Sequence, residues 1–218
     1  MTITLMPGRT AADTLADLAM AYGVASRLVL APADDGLLAV LADPAFHDGW
    51  PLVRCSETTR GLESVQRSLD EGEPRQALDA DFEQLFVHTP SCVPEPCEAA
   101  YRPFEHLLLD LPAVDLRDEE LVFGLAPVPG GVSRGDHIGC ELRHAGRLVE
   151  AAREAAARGD DARVDEILDA HQAFLTDHLM RWAPGCLRET EADARTHFYR
   201  GAAALALGVL AHAHERLR

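Results

Sequence analysis

The residues best placed for chemistry lie near the start of one predicted helix. His137, Glu141 and His144 recur at i, i+4 and i+7, so they share one face of that helix. Glu141 and His144 form a Glu-x-x-His pair, which di-iron helical bundles use to bind metal. Such a site needs a second pair on a facing helix, and the chain contains none. A metal-binding helical-bundle enzyme using these three residues is therefore an alternative that the sequence leaves open.

A second, looser group of metal-ligand types surrounds a proline-rich stretch. It comprises His88, Cys92, Cys97 and His106. Structural zinc sites use short paired spacings of Cys and His, which this group lacks. The pattern does not favour zinc, and we expect the chain to hold no metal and no cofactor of its own.

Asp136 and His137 follow a glycine-rich stretch at the same helix start. A helix N-terminus favours a carboxylate, and a neighbouring carboxylate raises the affinity of a histidine for a proton. Such a pair could hold an arginine side chain of a ligand through charge-assisted hydrogen bonds. Equally, Asp136 or Ser133 could simply cap the helix. Both interpretations remain open.

Two helix faces carry aromatic side chains that could line a groove or pack in a core. The first face carries Phe82, Leu85 and Phe86. The second face carries a ladder at i, i+4 and i+8, formed by Phe174, His178 and Trp182. Three side chains on neighbouring turns of one face can shape a binding groove from behind.

The composition excludes several classes of protein. Without a single lysine, neither a phosphate-binding P-loop nor a Schiff base is available, and no H-E-x-x-H motif occurs. The net charge of −16 argues against a nucleic-acid partner and favours a basic one. We expect no stable membrane insertion, and five scattered cysteines suggest reduced thiols and a cytoplasmic location.

The elements that must position these residues are predicted to be helices. Apolar periodicity and capping residues predict them over 10–31, 34–42, 56–72, 75–87, 115–125, 136–158, 160–183 and 190–216. Proline-rich loops near 88–103 and 126–135 interrupt them. The sequence thus predicts an all-α fold, a single-domain bundle of seven to nine helices over residues 1–218. It leaves open whether the chain is a monomer or a homodimer.

Four stretches in order resemble the TorD/DmsD/NarJ family of redox-enzyme maturation chaperones. They are DFEQLFVHTP from Asp81, VPEPCEAAY from Val93, DHIGCELRHAGRL from Asp136 and FLTDHLMRWAPGCL from Phe174. The resemblance implies a TorD-like helical fold and a cytoplasmic, non-enzymatic chaperone. Its partners would be the N-terminal twin-arginine type signal peptide and the apo form of a molybdoenzyme catalytic subunit. Such a chaperone assists insertion of the molybdenum cofactor and delays export.

The resemblance also implies roles for individual residues. The positions implied to bind the peptide are Phe82, Leu85, Phe86, Tyr101, Asp136, His137 and Glu141. The groove scaffold would consist of Phe174, His178 and Trp182. One departure is the loop sequence Pro94-Glu95-Pro96-Cys97, because family members commonly carry Pro-Pro-Tyr or Pro-Pro-Trp there. One aromatic anchor is therefore missing, which allows a different client.

Overall fold

The computed structural model describes residues 10–87, 95–102 and 135–216. Within these ranges the regular structure is helical, apart from one isolated antiparallel bridge between Cys97 and His137. The predicted all-α fold is confirmed. The predicted helix over 115–125, the first part of the 88–103 loop and nearly all of the 126–135 loop lie outside the described residues.

The helices follow the chain in the order α1 to α10. Their bounds are α1 (Ala11–Leu30), α2 (Asp35–Ala42), α3 (Pro44–Asp48), α4 (Ser56–Glu71), α5 (Arg75–Phe82), α6 (Glu98–Tyr101), α7 (Ile138–Ala157), α8 (Asp161–Phe174), α9 (Met180–Asp193) and α10 (His197–Arg216). Two π-helical segments are continuous with these α-helices. Glu83–Val87 extends α5, and Leu175–Leu179 joins α8 to α9.

Local sequence explains several helix ends. Thr10 and Asp13 form a reciprocal capping box at the start of α1, and Asp160 caps α8 by accepting from the backbone of Arg163. Gly72 ends α4 with φ of +63°, a left-handed conformation that costs glycine no steric penalty. These ends agree with the prediction because each depends only on neighbouring residues.

The core is built around α10, whose apolar run is buried on nearly all sides. This helix packs against α4, α9 and α1, while α7 packs against α1 and α8. Small residues allow the closest approach, since a Cβ atom on Gly201 would lie 2.8 Å from the backbone oxygen of Gly61 on α4. Among the described helices, none is long and apolar enough to cross a membrane.

The prediction that a helix ends before Pro184 is wrong. The chain continues from α8 through the π-helical segment into α9, which contains Pro184. Proline removes one backbone hydrogen bond from a helix. Buried side chains on both sides of it, including Trp182 and Leu187, hold the helix against the core despite that loss.

The predicted start of the last helix near Thr190 is also wrong, because α10 begins at His197. The Thr190 hydroxyl donates to the backbone oxygen of Cys186 inside α9. Carboxylates from distant parts of the chain instead accept hydrogen bonds from the backbone nitrogens between α9 and α10. Asp81 accepts from the backbone nitrogens of Arg195 and Thr196 and from the Thr196 hydroxyl, at 2.6 to 3.2 Å. Glu73 accepts from the first two amides of α10 at 2.7 and 3.1 Å.

Candidate functional site

The end of the proline-rich loop lies against the start of α7. The backbone nitrogen of Ile138 donates to the oxygen of Pro96 at 2.9 Å, and the nitrogen of Glu98 donates to the oxygen of Asp136 at 2.9 Å. These two bonds form the bridge between Cys97 and His137. They bring two of the stretches that carry the family resemblance side by side.

His137, rather than Asp136, is the N-cap of α7. Its Nδ1 accepts from the backbone nitrogen of Gly139 at 3.1 Å, so that ring nitrogen carries no proton in this arrangement. The Asp136 carboxylate instead accepts from the backbone nitrogen of Ala99 at 3.4 Å. The bridge to Glu98 explains the change, because it orients Asp136 toward α6. Ser133, the other predicted cap, lies outside the described residues.

The predicted apolar face joins His137 in one aromatic cluster, which consists of Phe82, Phe86, His137 and Tyr199. The ring centroids of Phe82 and Phe86 are 5.4 Å apart, and those of Phe86 and His137 are 6.4 Å apart. Tyr199 lies within 5.9 Å of both phenylalanines. All four side chains are buried, as is the neighbouring Leu85. Sequence reasoning missed Tyr199 because it lies in the largely apolar α10.

Three buried acids form a carboxylate cluster beside α6, consisting of Glu98, Asp136 and Glu141. Glu98 is only 2% exposed, and both of its oxygens accept from Nδ1 of His178, at 3.1 and 3.2 Å. The Arg102 guanidinium also donates to Glu98. Glu141, likewise 2% exposed, accepts from the indole nitrogen of Trp182 at 3.1 Å. Sequence reasoning missed Glu98 and Arg102, because the proline-rich stretch shows no periodicity.

The two glutamates of this cluster have opposite acidity shifts. Burial raises the pKa of Glu141 well above its ordinary value, and the negative charges of Glu98 and Asp136 raise it further. Burial also raises the pKa of Glu98, but its hydrogen bond to His178 and the charges of His178 and Arg102 outweigh this, so the net shift is downward. Glu98 is therefore the ionised acid of the pair, and cations already compensate its charge.

Helix α6 is attached to the bundle at its other end as well. The Tyr101 hydroxyl donates to Glu189 at 2.6 Å, and the Tyr101 ring lies 5.6 Å from that of Trp182. Arg102 donates to the backbone oxygen of Asp177 at 2.9 Å. Tyr101, expected to contact a peptide, thus contacts α9, and α6 is held against the bundle at both ends.

Two residues of the predicted ladder, His178 and Trp182, bind the carboxylate cluster, and the third packs beside them. The rings of Phe174 and His178 stack at 5.3 Å, and His144 meets Phe174 edge-on at 4.8 Å. The π-helical segment supplies His178 to Glu98, while Trp182 on α9 reaches Glu141. π-helical segments of this kind occur often at functional sites.

The metal alternative finds no support in the part of the chain that the structure describes. His137 caps its helix, Glu141 binds Trp182, and His144 packs against Phe174. Among the described residues, no three His, Cys, Asp or Glu side chains are arranged to hold a metal ion. Of the looser group, His88, Cys92 and His106 lie outside those residues, and Cys97 is buried.

Comparison with known proteins identifies the family. Residues 55–188 match the family model described as nitrate reductase delta subunit, a stretch that contains every candidate site residue except Tyr199. Chaperone protein TorD from Photobacterium profundum is 30% identical over 122 residues, covering 56% of this chain and 55% of the relative. Chaperone protein TorD from Vibrio parahaemolyticus is 24% identical over 144 residues, covering 66% of each.

The chain therefore spans 55% and 66% of the lengths of these two curated relatives. The match nevertheless runs across α4 to α9, including both stretches that meet at the Cys97–His137 bridge. The resemblance to the TorD/DmsD/NarJ family is thereby confirmed. The chain belongs to the nitrate reductase delta subunit family.

Proposed function

We propose that this protein is a redox-enzyme maturation chaperone that binds the N-terminal, twin-arginine type signal peptide of a molybdenum-cofactor oxidoreductase. It holds the apo catalytic subunit in the cytoplasm, assists cofactor insertion and delays export. It acts by binding and release rather than by catalysis. Family membership and the name chaperone protein TorD on two relatives support this proposal.

The observation that carries the proposal is that the carboxylate cluster adjoins the aromatic cluster. Asp136 and His137 are consecutive residues, one in each cluster, and Phe86 contacts the His137 ring. A twin-arginine peptide combines guanidinium groups with an apolar stretch. Carboxylates bind guanidinium groups through charge-assisted hydrogen bonds, and aromatic side chains accept the apolar stretch.

Burial of these residues determines how a peptide reaches them. Phe82, Leu85, Phe86, Asp136, His137 and Glu141 are each at most 7% exposed. A peptide must therefore displace a covering segment, and α6 is the described element bonded over the carboxylates. The apparent affinity is reduced by the fraction of molecules in which that cover is closed.

Calorimetric titration with a synthetic twin-arginine peptide tests the assignment of residues. The double variant Asp136→Asn with Phe86→Leu should weaken binding about tenfold or more, because it removes one charge and one aromatic contact. Met20→Ala is a suitable control, since Met20 is 59% exposed on α1. Melting temperatures of all variants verify that they fold. Equal affinity of the folded double variant and the wild type contradicts the assignment.

Capture from native lysate identifies the client. Immobilised wild-type protein should retain a molybdoenzyme catalytic subunit lacking its cofactor, whereas the double variant should retain less of it. Recovery of that subunit in equal amounts by both proteins contradicts the proposed site, and its absence from both contradicts the proposed client class.

A further inference from the structure

Arg102 occupies an unusual position for an arginine of this chain. Its side chain is only 10% exposed, and it donates both to the carboxylate of Glu98 and to the backbone oxygen of Asp177. Arginine ion pairs elsewhere in the described residues lie nearer the surface, for example that of Arg75 with Asp79, in which the arginine is 44% exposed. A surface pair contributes little to stability, whereas a buried pair is strongly coupled to its surroundings. Arg102 is therefore a component of the interior of the site.

The groups around the Arg102 guanidinium form a receptor for arginine. Glu98 supplies a carboxylate, and Asp177 supplies a backbone carbonyl 2.9 Å from the guanidinium nitrogen. Both acceptors take their hydrogen bonds from the same guanidinium nitrogen, Nη1, which carries two N–H donors. An arginine side chain of another molecule could make the same two contacts.

Glu98 needs a cation in every state of the site. It is 2% exposed, and an unpaired buried carboxylate is strongly destabilising. If Arg102 moved away with nothing in its place, His178 would be the partner that remains. Exchange of one guanidinium for another avoids that penalty, because Glu98 stays paired throughout.

We propose that Arg102 occupies, in the unbound chain, the position that an arginine of the client peptide takes on binding. Arg102 is then an internal competitor, and Glu98 is a carboxylate that receives the client. This inference rests on the proposed function. Departure of Arg102, the residue that ends α6, also breaks the bond between this end of the helix and Asp177, while Glu98 at the other end stays in place.

Chemical complementation tests the receptor without any client. In Arg102→Ala, N-acetyl-arginine amide should enter the vacated position and raise the melting temperature by about 3 °C at tenfold its dissociation constant. The wild type should show no such rise. Arg75→Ala is the matched control, because Arg75 and Asp79 form an exposed pair with the same i,i+4 spacing as Glu98 and Arg102. No shift in Arg102→Ala, or an equal shift in Arg75→Ala, overturns the inference.

A second variant guards against misfolding of Arg102→Ala. In Arg102→Gln combined with Glu98→Gln, the site contains no uncompensated carboxylate at position 98. This variant should fold and should not respond to N-acetyl-arginine amide. A response as large as that of Arg102→Ala places the bound arginine away from Glu98 and overturns the assignment.

Peptide titration tests the competition itself. Removing Arg102 should tighten binding of a twin-arginine peptide about tenfold, which corresponds to internal occupancy of the site for about nine-tenths of the time. A peptide with both arginines replaced by glutamine should bind the wild type and Arg102→Ala equally. Unchanged or weaker binding of the twin-arginine peptide to Arg102→Ala overturns the competition alone. Failure of that peptide to bind either protein overturns the proposed function and the competition together.

Discussion

His171 illustrates how a single buried side chain links this fold to pH. Its Nε2 lies 3.2 Å from the Tyr22 hydroxyl, and the residue is fully buried. Burial lowers the pKa of His171 from 6.5 to about 3, and the nearby His144 contributes to the same shift. The unfolded chain therefore binds a proton at His171 in a pH range where the folded chain does not.

Acidification therefore lowers the free energy of unfolding through His171. Above about pH 6.5 His171 is neutral in both states, and below it the unfolded state gains protons, so this residue destabilises the fold by about 1.4 kcal/mol for each pH unit down to about pH 3. Urea unfolding at pH 7.5 and 5.5 should show a smaller loss for His171→Gln than for the wild type. The partly exposed His47 provides the control variant His47→Gln. An equal pH dependence of wild type and His171→Gln contradicts this account.

The raised pKa of Glu141 predicts that stability depends on pH in the opposite direction. Because its pKa is raised in the folded state, the unfolded chain loses the proton first, and stability falls as pH rises above about 4.5. Glutamine keeps an oxygen for the Trp182 indole but removes the buried charge. Glu141→Gln should therefore be more stable than the wild type by about 1 kcal/mol or more at pH 8, and by less at pH 5. Thermal unfolding at both values checks this, and a variant less stable than wild type at pH 8 contradicts it.

The sequence allowed prediction of some residues of the site but not of others. Asp136 and His137 could be selected because an acid and a histidine adjoin at a predicted helix start. Phe86 could be selected because it lies on an aromatic helix face. Glu98 and Arg102 could not, because their importance arises only when α6 lies against His178 and Asp177. Burial of the whole set also depends on tertiary packing, which residue spacing does not specify.

At the scale of elements, the contact between α4 and α10 depends on glycine. A Cβ atom on Gly201 would lie 2.8 Å from the backbone oxygen of Gly61 and 2.8 Å from the backbone nitrogen of Val65. Backbone atoms cannot yield as a flexible side chain can. The two helices would have to separate, which loosens the packing around the apolar face of α10.

Gly201→Ala should therefore destabilise the fold by about 3 kcal/mol, as overpacking of a rigid contact does. Gly23→Ala is a matched comparison, because Gly23 lies inside α1 and a Cβ atom there would meet no other atom within 4 Å. Alanine there should stabilise the fold by up to about 1 kcal/mol through helix propensity. Denaturant unfolding measures both changes. A Gly201→Ala variant as stable as Gly23→Ala would show that the helices can separate without loss.

Helix boundaries show where local sequence stops being informative. The ends of α1, α4 and α8 follow from nearby caps and a glycine, so they could be predicted. The start of α10 depends on Asp81 and Glu73, which are more than a hundred residues earlier in the chain. A capping pattern near Thr190 therefore suggested the wrong start. Continuation through Pro184 likewise depends on burial in the core rather than on propensity.

At the scale of the whole molecule, charge is the property that matters most for the proposed function. The net charge of −16 produces a negative potential that attracts a basic peptide and falls with added salt. Long-range attraction alone accepts any cationic peptide. On the proposed function, specificity for arginine comes from the buried carboxylate cluster, because a guanidinium pairs with a buried carboxylate more readily than an ammonium does. A single domain over residues 1–218 stays a prediction, and the sequence leaves monomer and homodimer as alternatives.

The most direct measurement is calorimetric titration of the full chain, at physiological salt, with a twin-arginine peptide and with the same peptide carrying two lysines. The net charge of the two peptides is equal, so surface attraction contributes equally to both. The account predicts binding of the arginine peptide about tenfold tighter or more, because a guanidinium is more weakly hydrated than an ammonium and therefore costs less to bury beside Glu98 and the Asp177 carbonyl. Equal affinity for the two peptides would contradict recognition of arginine by the buried carboxylate cluster.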